Sequence, residues 1–430
     1  MESLKQLSEQ TFSSLKIRNY RFYFIGQGLS QVGSWMQIVA LGWLVLVLTG
    51  SGTQLGAILA FRFFPQLFGG PFGGIFADRY SKRHVLLVTQ LASALVALAM
   101  AALVFGQLMT VWMLYAFALI LGVINLFDNP TRQAFVHEMV GPEHLRNAVT
   151  LNSTAANLAR AVGPMIAGSL IAGIGIAACY FANAISFLAV IAMLVAIRPE
   201  ELHKESAARK DSGHILEGLR YAAKTPLVRN ILIVMALIGT LAYEFQVSLP
   251  LLAELVFESG ATGYAALLSA MGAGSVLGGL IAASRAQVAP HEFVMSALLF
   301  GVSIVVTAFM PSLPFAVLGM FFVGLFSINL TSVGNTMVQL ASSPEVRGRV
   351  MSLWSMAIFG STFIGAPAIG YIAEHFGGRW GLATGGIAAI VGGLYAATRM
   401  LERDRWLFIP AFIRVRMEEE ETGTLESGKF

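Results

Sequence analysis

Long apolar runs separated by short polar connections dominate the chain. The runs fall at 22–48, 53–76, 84–106, 110–128, 148–172, 176–197, 228–256, 262–284, 292–310, 313–338, 350–374 and 380–400. A helix rising about 1.5 Å per residue needs about 20 residues to cross a hydrocarbon core of about 30 Å. Each run meets that length, and most are apolar on every face, as helices surrounded by lipid and other helices are. The pattern predicts an all-α membrane protein with twelve transmembrane helices.

The connections set its direction. Apart from Arg62 and Arg160, which lie inside runs, and Arg379, every Lys and Arg falls on alternate connections or at the termini. Short loops rich in cations stay on the cytoplasmic side. Both termini are therefore expected in the cytoplasm. The longest polar connection, 198–227, carries mixed charges with Pro199 and Pro226, and divides the chain into two sets of six crossings. The expected units are a cytoplasmic N-terminal segment at 1–21, a six-helix bundle at 22–197, the linker at 198–227, a second bundle at 228–400 and a cytoplasmic tail at 401–430. An internal similarity supports two pseudo-symmetric bundles. Pro142-Glu143 through Leu151-Asn-Ser153 matches Pro344-Glu345 through Leu353-Trp-Ser355, and the offset then pairs Gly163 with Gly365 and Gly168 with Gly370. The tail begins with Arg403, Arg405, Trp406 and Phe408, a composition suited to lipid headgroups.

Composition narrows the function. The chain is 56% hydrophobic and 12% charged, with mean hydropathy +0.71. Soluble domains carry about twice that share of charge. The net charge of +4 arises from the loops, so it calls for no nucleic-acid partner. The single Cys179 lies in an apolar run, which leaves no disulfide framework. Met1–Arg21 is polar and the first apolar run is full length, so no cleavable leader is expected. There is no G-x-x-x-x-G-K-[ST] loop for ATP, and no histidine pair in a crossing suits a metal. No cofactor, no metal and no enzyme chemistry are expected.

Charged groups inside crossings are costly and tend to face a cavity or a partner. Glu244 is the sharpest case, in Thr240-Leu-Ala-Tyr243-Glu244-Phe-Gln-Val-Ser248. Thr240, Tyr243, Glu244 and Ser248 share one helical face by their i, i+3, i+4 spacing. A carboxyl group at that depth is the candidate for carrying a coupling proton; a static partner for an arginine is the alternative. Arg62 and Arg160 are the buried cations, suited to an ion pair that locks the first bundle or to an anionic substrate group. Polar stripes accompany them. The first crossing shows Gln27, Gln31, Ser34 and Trp35, the fourth Gly122, Asn125 and Asn129, and the tenth Asn329, Ser332, Thr336 and Gln339. Such amides also serve as interhelical hydrogen-bonding glue.

One connection is distinctive. Gly74-Ile-Phe-Ala-Asp78-Arg79-Tyr-Ser-Lys82-Arg83, between crossings two and three, resembles the signature loop of the major facilitator superfamily, with Ser81 where that family usually has Gly. The resemblance implies two six-helix bundles working by alternating access, with crossings one, four, seven and ten lining a cavity. On that reading Gln27, Gln31, Trp35, Asn125, Tyr243, Glu244, Asn329, Ser332 and Thr336 line the cavity. Gly74, Asp78, Arg79, Lys82 and Arg83 form a gating loop whose cations meet Asp128, and Asp78 docks near 347–352 of the other bundle. Gly163-Pro164-Met-Ile-Ala-Gly168 resembles a glycine–proline element of the antiporter branch, with Ala167 at one glycine, and marks a bending point. Crossing four departs from another family motif: Ala118 stands where drug exporters carry an arginine. Three further blocks resemble the enterobactin (siderophore) exporter and drug efflux branch: Arg18-Asn-Tyr-Arg21, Asn129-Pro-Thr-Arg132-Gln-Ala134, and Asn152-Ser153 through Arg160 to Pro164. They imply export of a small organic molecule by proton antiport, from a monomer in the cell membrane with lipid and protons as its other partners. An importer of a small metabolite with the same fold, and a non-transporting receptor or scaffold, are the alternatives.

Overall fold

The computed structural model describes residues 12–203, 215–283, 288–344 and 346–401. The leading residues, the centre of the linker and the tail beyond Leu401 lie outside them, and with them the expected headgroup contact of the tail. The side chains of Gly74 and Asp78 also fall outside the described set.

The described chain is helical. In order come α1 (Arg18–Thr49), α2 (Gly52–Arg79), α3 (Lys82–Phe105), α4 (Val111–Gly173), α5 (Ile176–Ala196), α6 (Ile215–Lys224), α7 (Pro226–Leu241), α8 (Phe245–Leu255), α9 (Gly260–Ala283), α10 (Pro290–Ala308), α11 (Leu313–Ala341), α12 (Arg347–Ser355), α13 (Thr362–Phe376) and α14 (Gly378–Ala396). Among these residues, ten helical runs are long and apolar enough to cross a membrane. The protein is a multi-pass membrane protein.

Three elements differ from the reading of the sequence. The span expected to end at 128 continues, because α4 runs 63 residues. A straight helix of that length would reach about 95 Å, far beyond one bilayer. Gly141 turns it, with φ 65° and ψ 178°, a conformation that glycine adopts without a Cβ clash. The expected crossing at 228–256 is two helices, α7 and α8, interrupted at Ala242–Glu244. The expected crossing at 350–374 is interrupted by a π-helical segment, Met356–Gly360, between α12 and α13. In addition, the linker contains the short helix α6. It is fastened to the second half by an Arg349–Glu217 ion pair of 2.6 Å and by the Tyr221 hydroxyl, which donates to the Ala341 carbonyl at 2.8 Å.

Glycines set how closely the helices approach, as in other lipid-embedded packings. Two seams join the first half to the second. Gly52 and Gly56 of α2 lie backbone-to-backbone with Gly370 and Ala366 of α13. The later arm of α4 meets α9, Ala161 against Gly272 and Gly168 against Ala265. A Cβ at Gly56 or Gly370 would overlap a carbonyl oxygen across the seam. Inside the second half, Gly274 and Gly324 bring α9 and α11 together in the same way.

Candidate functional site

Glu244 sits where crossing seven breaks. Ala242 and Tyr243 both direct their N–H groups to the Ile238 carbonyl, closing α7, and α8 starts afresh from the Glu244 carbonyl. Broken crossings in membrane proteins occur where the freed backbone lines a cavity or is buried by protein. The neighbour here is the π-helical segment of Met356–Gly360. Gly239 rests on the Ala357 carbonyl, and Gly365 rests on the Thr240 carbonyl. The last turns of α7 therefore pack on the π-helical segment and the start of α13, and the Glu244 side chain lies against Thr362 and Gly365 at that start. It is 3% exposed, within hydrogen-bonding reach of the Thr362 hydroxyl, and its Oε1 has no partner. No ion pair joins it to an arginine among the described residues. A carboxyl group placed so has a buried oxygen, Oε1, free to take a proton.

The break alters the face expected for this segment. Tyr243 turns away from Glu244, stacks on Phe300 at 5.4 Å and donates its hydroxyl to the Ser327 carbonyl at 3.3 Å. Glu244 turns toward α13 instead. The helical-wheel grouping of Thr240, Tyr243, Glu244 and Ser248 requires a continuous helix, and Ala242–Glu244 interrupts it.

Arg160 occupies the seam between halves. Its guanidinium lies over the Trp35 ring, 5.3 Å from the centroid, and within electrostatic range of Tyr243. Gly163, one turn on, lets the α1 backbone approach at Trp35 and Val32. Pro164 has no N–H to return to the Arg160 carbonyl, so it frees that group beside Gly272 of α9. The helix nevertheless runs through Pro164; its non-helical φ/ψ falls at Gly141. Arg62 is half-buried within the first half, in electrostatic range of Tyr180, and forms no ion pair among the described residues.

The amides divide. Gln27 and Asn329 are 4% exposed, and the Gln27 Nε2 and Asn329 Oδ1 atoms have no partner. The Asn329 Nδ2 group donates to Leu325 of its own helix at 3.1 Å. Gln31, Trp35, Asn125, Ser332 and Thr336 are half-buried. Packing glue is carried by a pair that the sequence reading did not single out: the Asn183 amide on α5 donates to the Gln37 carbonyl oxygen on α1.

The expected bridge from the gating-loop cations to Asp128 does not form. The Asp128 carboxylate, 2% exposed, accepts from Thr89 Oγ1 at 2.7 Å and Gln90 Nε2 at 2.8 Å, and pairs with Arg132. Arg132 lies one turn on, within reach because α4 continues past residue 128. Lys82 pairs with Glu138 at 2.7 Å, Arg83 donates to the Leu194 and Val195 carbonyls at 2.8 and 3.0 Å, and Arg79 is exposed.

At the opposite end of the molecule the halves are joined by a contact the sequence did not reveal. Glu374 of α13 accepts from the Ser51 hydroxyl and the Thr53 N–H, both at 2.8 Å, at the start of α2. The carboxylate thus sits on a helix N-terminus, where unpaired N–H groups and the helix dipole favour an anion.

Comparison with known proteins agrees with this architecture. Among solved structures, a bacterial homologue of the human lysosomal transporter Spinster superposes with TM-score 0.69 at 14% identity, covering 91% of this chain and 98% of that one. A peptide transporter, POT, gives 0.71 at 14% identity, with 89% and 94% covered. Among curated proteins, the staphyloferrin A transporter of Staphylococcus aureus is 23% identical over 361 residues, 83% of this chain and 90% of that protein. The multidrug efflux pump Tap of Mycolicibacterium fortuitum is 26% identical over 358 residues, 80% and 87%. The enterobactin exporter EntS of Escherichia coli O1:K1 is 26% identical over 364 residues, 82% and 84%. The family described as transmembrane secretion effectors matches residues 9–405. With that match spanning nearly the whole chain, the protein belongs to the transmembrane secretion effector family of the major facilitator superfamily of transporters.

Proposed function

We propose that the protein exports a small organic molecule across the cell membrane by proton antiport and alternating access. Twelve crossings in two six-helix bundles are counted by dividing α4 at Gly141 and adding α2 to the ten apolar runs. The names of its relatives, a siderophore exporter and a drug efflux pump among them, favour export and a siderophore-like or drug-like cargo. The observation that carries the coupling role is Glu244: a buried carboxyl with one free oxygen, at the break of one helix and against the start of α13, just past a π-helical stretch. Protonation there changes the charge between the broken crossing and α13, and hence their preferred packing. The cavity is lined from both halves by Gln27, Gln31, Trp35, Asn125, Tyr243, Asn329, Ser332 and Thr336. The Ser51–Glu374 contact closes the outer end. In the opposite state Asp78 docks on the N-terminus of α12 and closes the cytoplasmic end.

The test is transport in everted membrane vesicles with a panel of fluorescent drugs and ferric-free siderophores. Wild-type protein should accumulate a cargo when a pH gradient is imposed. Glu244→Gln should lose gradient-driven accumulation yet keep exchange of labelled for unlabelled cargo. Unchanged gradient-driven uptake in Glu244→Gln removes this residue as the coupling site. Export is wrong if cargo moves only in the opposite sense.

A further inference from the structure

The interior of the crossings carries an unbalanced charge. Arg62 and Arg160 both lie in the first half, and neither has an acidic partner among the described residues. Asp128 is committed to Arg132, Thr89 and Gln90. Glu244 faces Thr362 and Gly365 and forms no ion pair among the described residues. A guanidinium does not shed its proton in such a place, so the positive charge persists. An unpaired buried charge is strongly unfavourable, and it is retained where something transient neutralises it.

Arg160 is the better placed of the two. Its Nε is buried without a partner, and its guanidinium donates to no described residue. One face lies over Trp35 of α1, Tyr243 of α7–α8 is in electrostatic range, and Gly272 of α9 touches the backbone beside it. The residue therefore stands where four elements from both halves converge. Its planar fork matches a carboxylate in two parallel hydrogen bonds, and the Trp35 ring beside it offers an apolar face to the body of the same molecule.

We propose that the cargo is an organic anion with an aromatic or flat apolar body, whose carboxylate pairs with Arg160 while the body packs against Trp35. This assignment rests on the transporter reading above and narrows its substrate to anions, against the cationic and neutral drugs that an efflux pump also takes. The positive site draws the anion in, and the exporter must weaken that attraction at release. Release then comes from separation of the halves, which moves Tyr243 and α9 away from Arg160.

The test is equilibrium binding to the full-length protein in lipid nanodiscs, by calorimetry against empty nanodiscs. Three probes share the naphthyl body and carry an anionic, a neutral or a cationic head: 2-naphthoate, 2-naphthamide and 2-naphthylmethylamine. Naphthoate should bind at least tenfold more tightly than either of the others. Arg160→Gln should erase that preference while leaving naphthamide affinity within threefold, and Glu258→Gln, on the exposed rim, should retain it. Arg160→Lys should keep a reduced preference, and serves if Arg160→Gln does not give a monodisperse protein. Equal or tighter binding of the amine by the wild type overturns the proposal, as does an anion preference that survives both Arg160 variants. Anion-selective binding without transport of any panel compound would instead sink the carrier reading alone; transport restricted to amines would sink this inference alone.

Discussion

Glu374 offers the most direct handle on how the halves exchange positions. Its carboxylate reaches from the end of α13 to the first turn of α2, where Ser51 Oγ and Thr53 N each donate at 2.8 Å. Beside it Gly52 meets Gly370 and Gly56 meets Ala366, so the two backbones are already in contact when the carboxylate docks. Buried hydrogen bonds to a charged acceptor contribute about 1.5–3 kcal/mol each. Glu374 is exposed, and water screens both the charge and the dipole it meets. A contribution of about 1 kcal/mol for the pair is the appropriate scale, equivalent to about fivefold in the equilibrium between closed and open outer ends. Glu374→Gln keeps the size of the side chain and removes the charge. Spin labels at Leu108→Cys in the first half and Leu255→Cys in the second report the separation, since both positions are exposed and both lie at this end. The native Cys179 is buried and stays unlabelled. Double electron–electron resonance on reconstituted protein should show the long-distance population rising about fivefold relative to the short one in Glu374→Gln. Glu258→Gln, another acid on the same rim, should leave the distribution as in the wild type. An unaltered distribution in Glu374→Gln would refute the reasoning, because the carboxylate would then carry no share of the closure.

Three further outcomes follow from the packing and the gating assignment. Gly365→Ala places a methyl group on the Thr240 carbonyl and 3.0 Å from Glu244 Oε1, so it should destabilise the protein by about 1–3 kcal/mol. Melting followed by fluorescence-detected size exclusion checks this, and an unchanged melting temperature would contradict the close approach of α7 and α13. Asp128→Asn leaves Arg132 unneutralised and should lower stability by about 2 kcal/mol, less than a fully buried pair because Arg132 is partly exposed. Asp128→Asn combined with Arg132→Gln should recover part of the loss, and strict additivity of the two changes would show that the pair is not coupled. Asp78→Asn should insert normally and transport slowly; transport at the wild-type rate would remove the gating role of that loop.

The sequence carried the membrane-spanning architecture because the signal is local. Run length and loop charge depend on neighbours in the chain, so most expected runs correspond to a helix to within a few residues; those at 110–128, 228–256 and 350–374 do not. The depth of Glu244 was legible for the same reason. Its direction was not, because the break at Ala242–Glu244 has no glycine or proline within it to announce the interruption. Pro250 lies further on and inside α8. Asp128 was assigned the wrong partners because Pro130 reads as a helix stop, whereas α4 passes through it and brings Arg132 within one turn. Arg160 and Trp35 were both selected as single residues, yet nothing in their spacing shows that one lies over the other. Glu374 escaped notice because its partner is 323 positions away and it lies at the end of an otherwise apolar helix.

The two ends of the molecule invite one physical argument. At one end a carboxylate at the close of α13 rests on the N-terminus of α2. The proposed cytoplasmic gate is the same contact with the roles exchanged: Asp78, at the close of α2, on the N-terminus of α12. Helix dipoles attract anions at their starts, so each crossing presents an acid at one end and an acceptor site for the other's acid at the opposite end. The proposed alternating-access motion cannot satisfy both contacts together, since closing one end separates the helices at the other. Each carboxylate then acts as a weight on one side of a balance, and each is worth little enough to be reversed by cargo or proton binding. It follows that weakening both, as in Glu374→Gln with Asp78→Asn, should restore the distance distribution toward the wild type, while either change alone displaces it in opposite directions. A double variant that opens the outer end as far as Glu374→Gln alone would show that the two contacts are not opposed, and that the conformational equilibrium is set elsewhere.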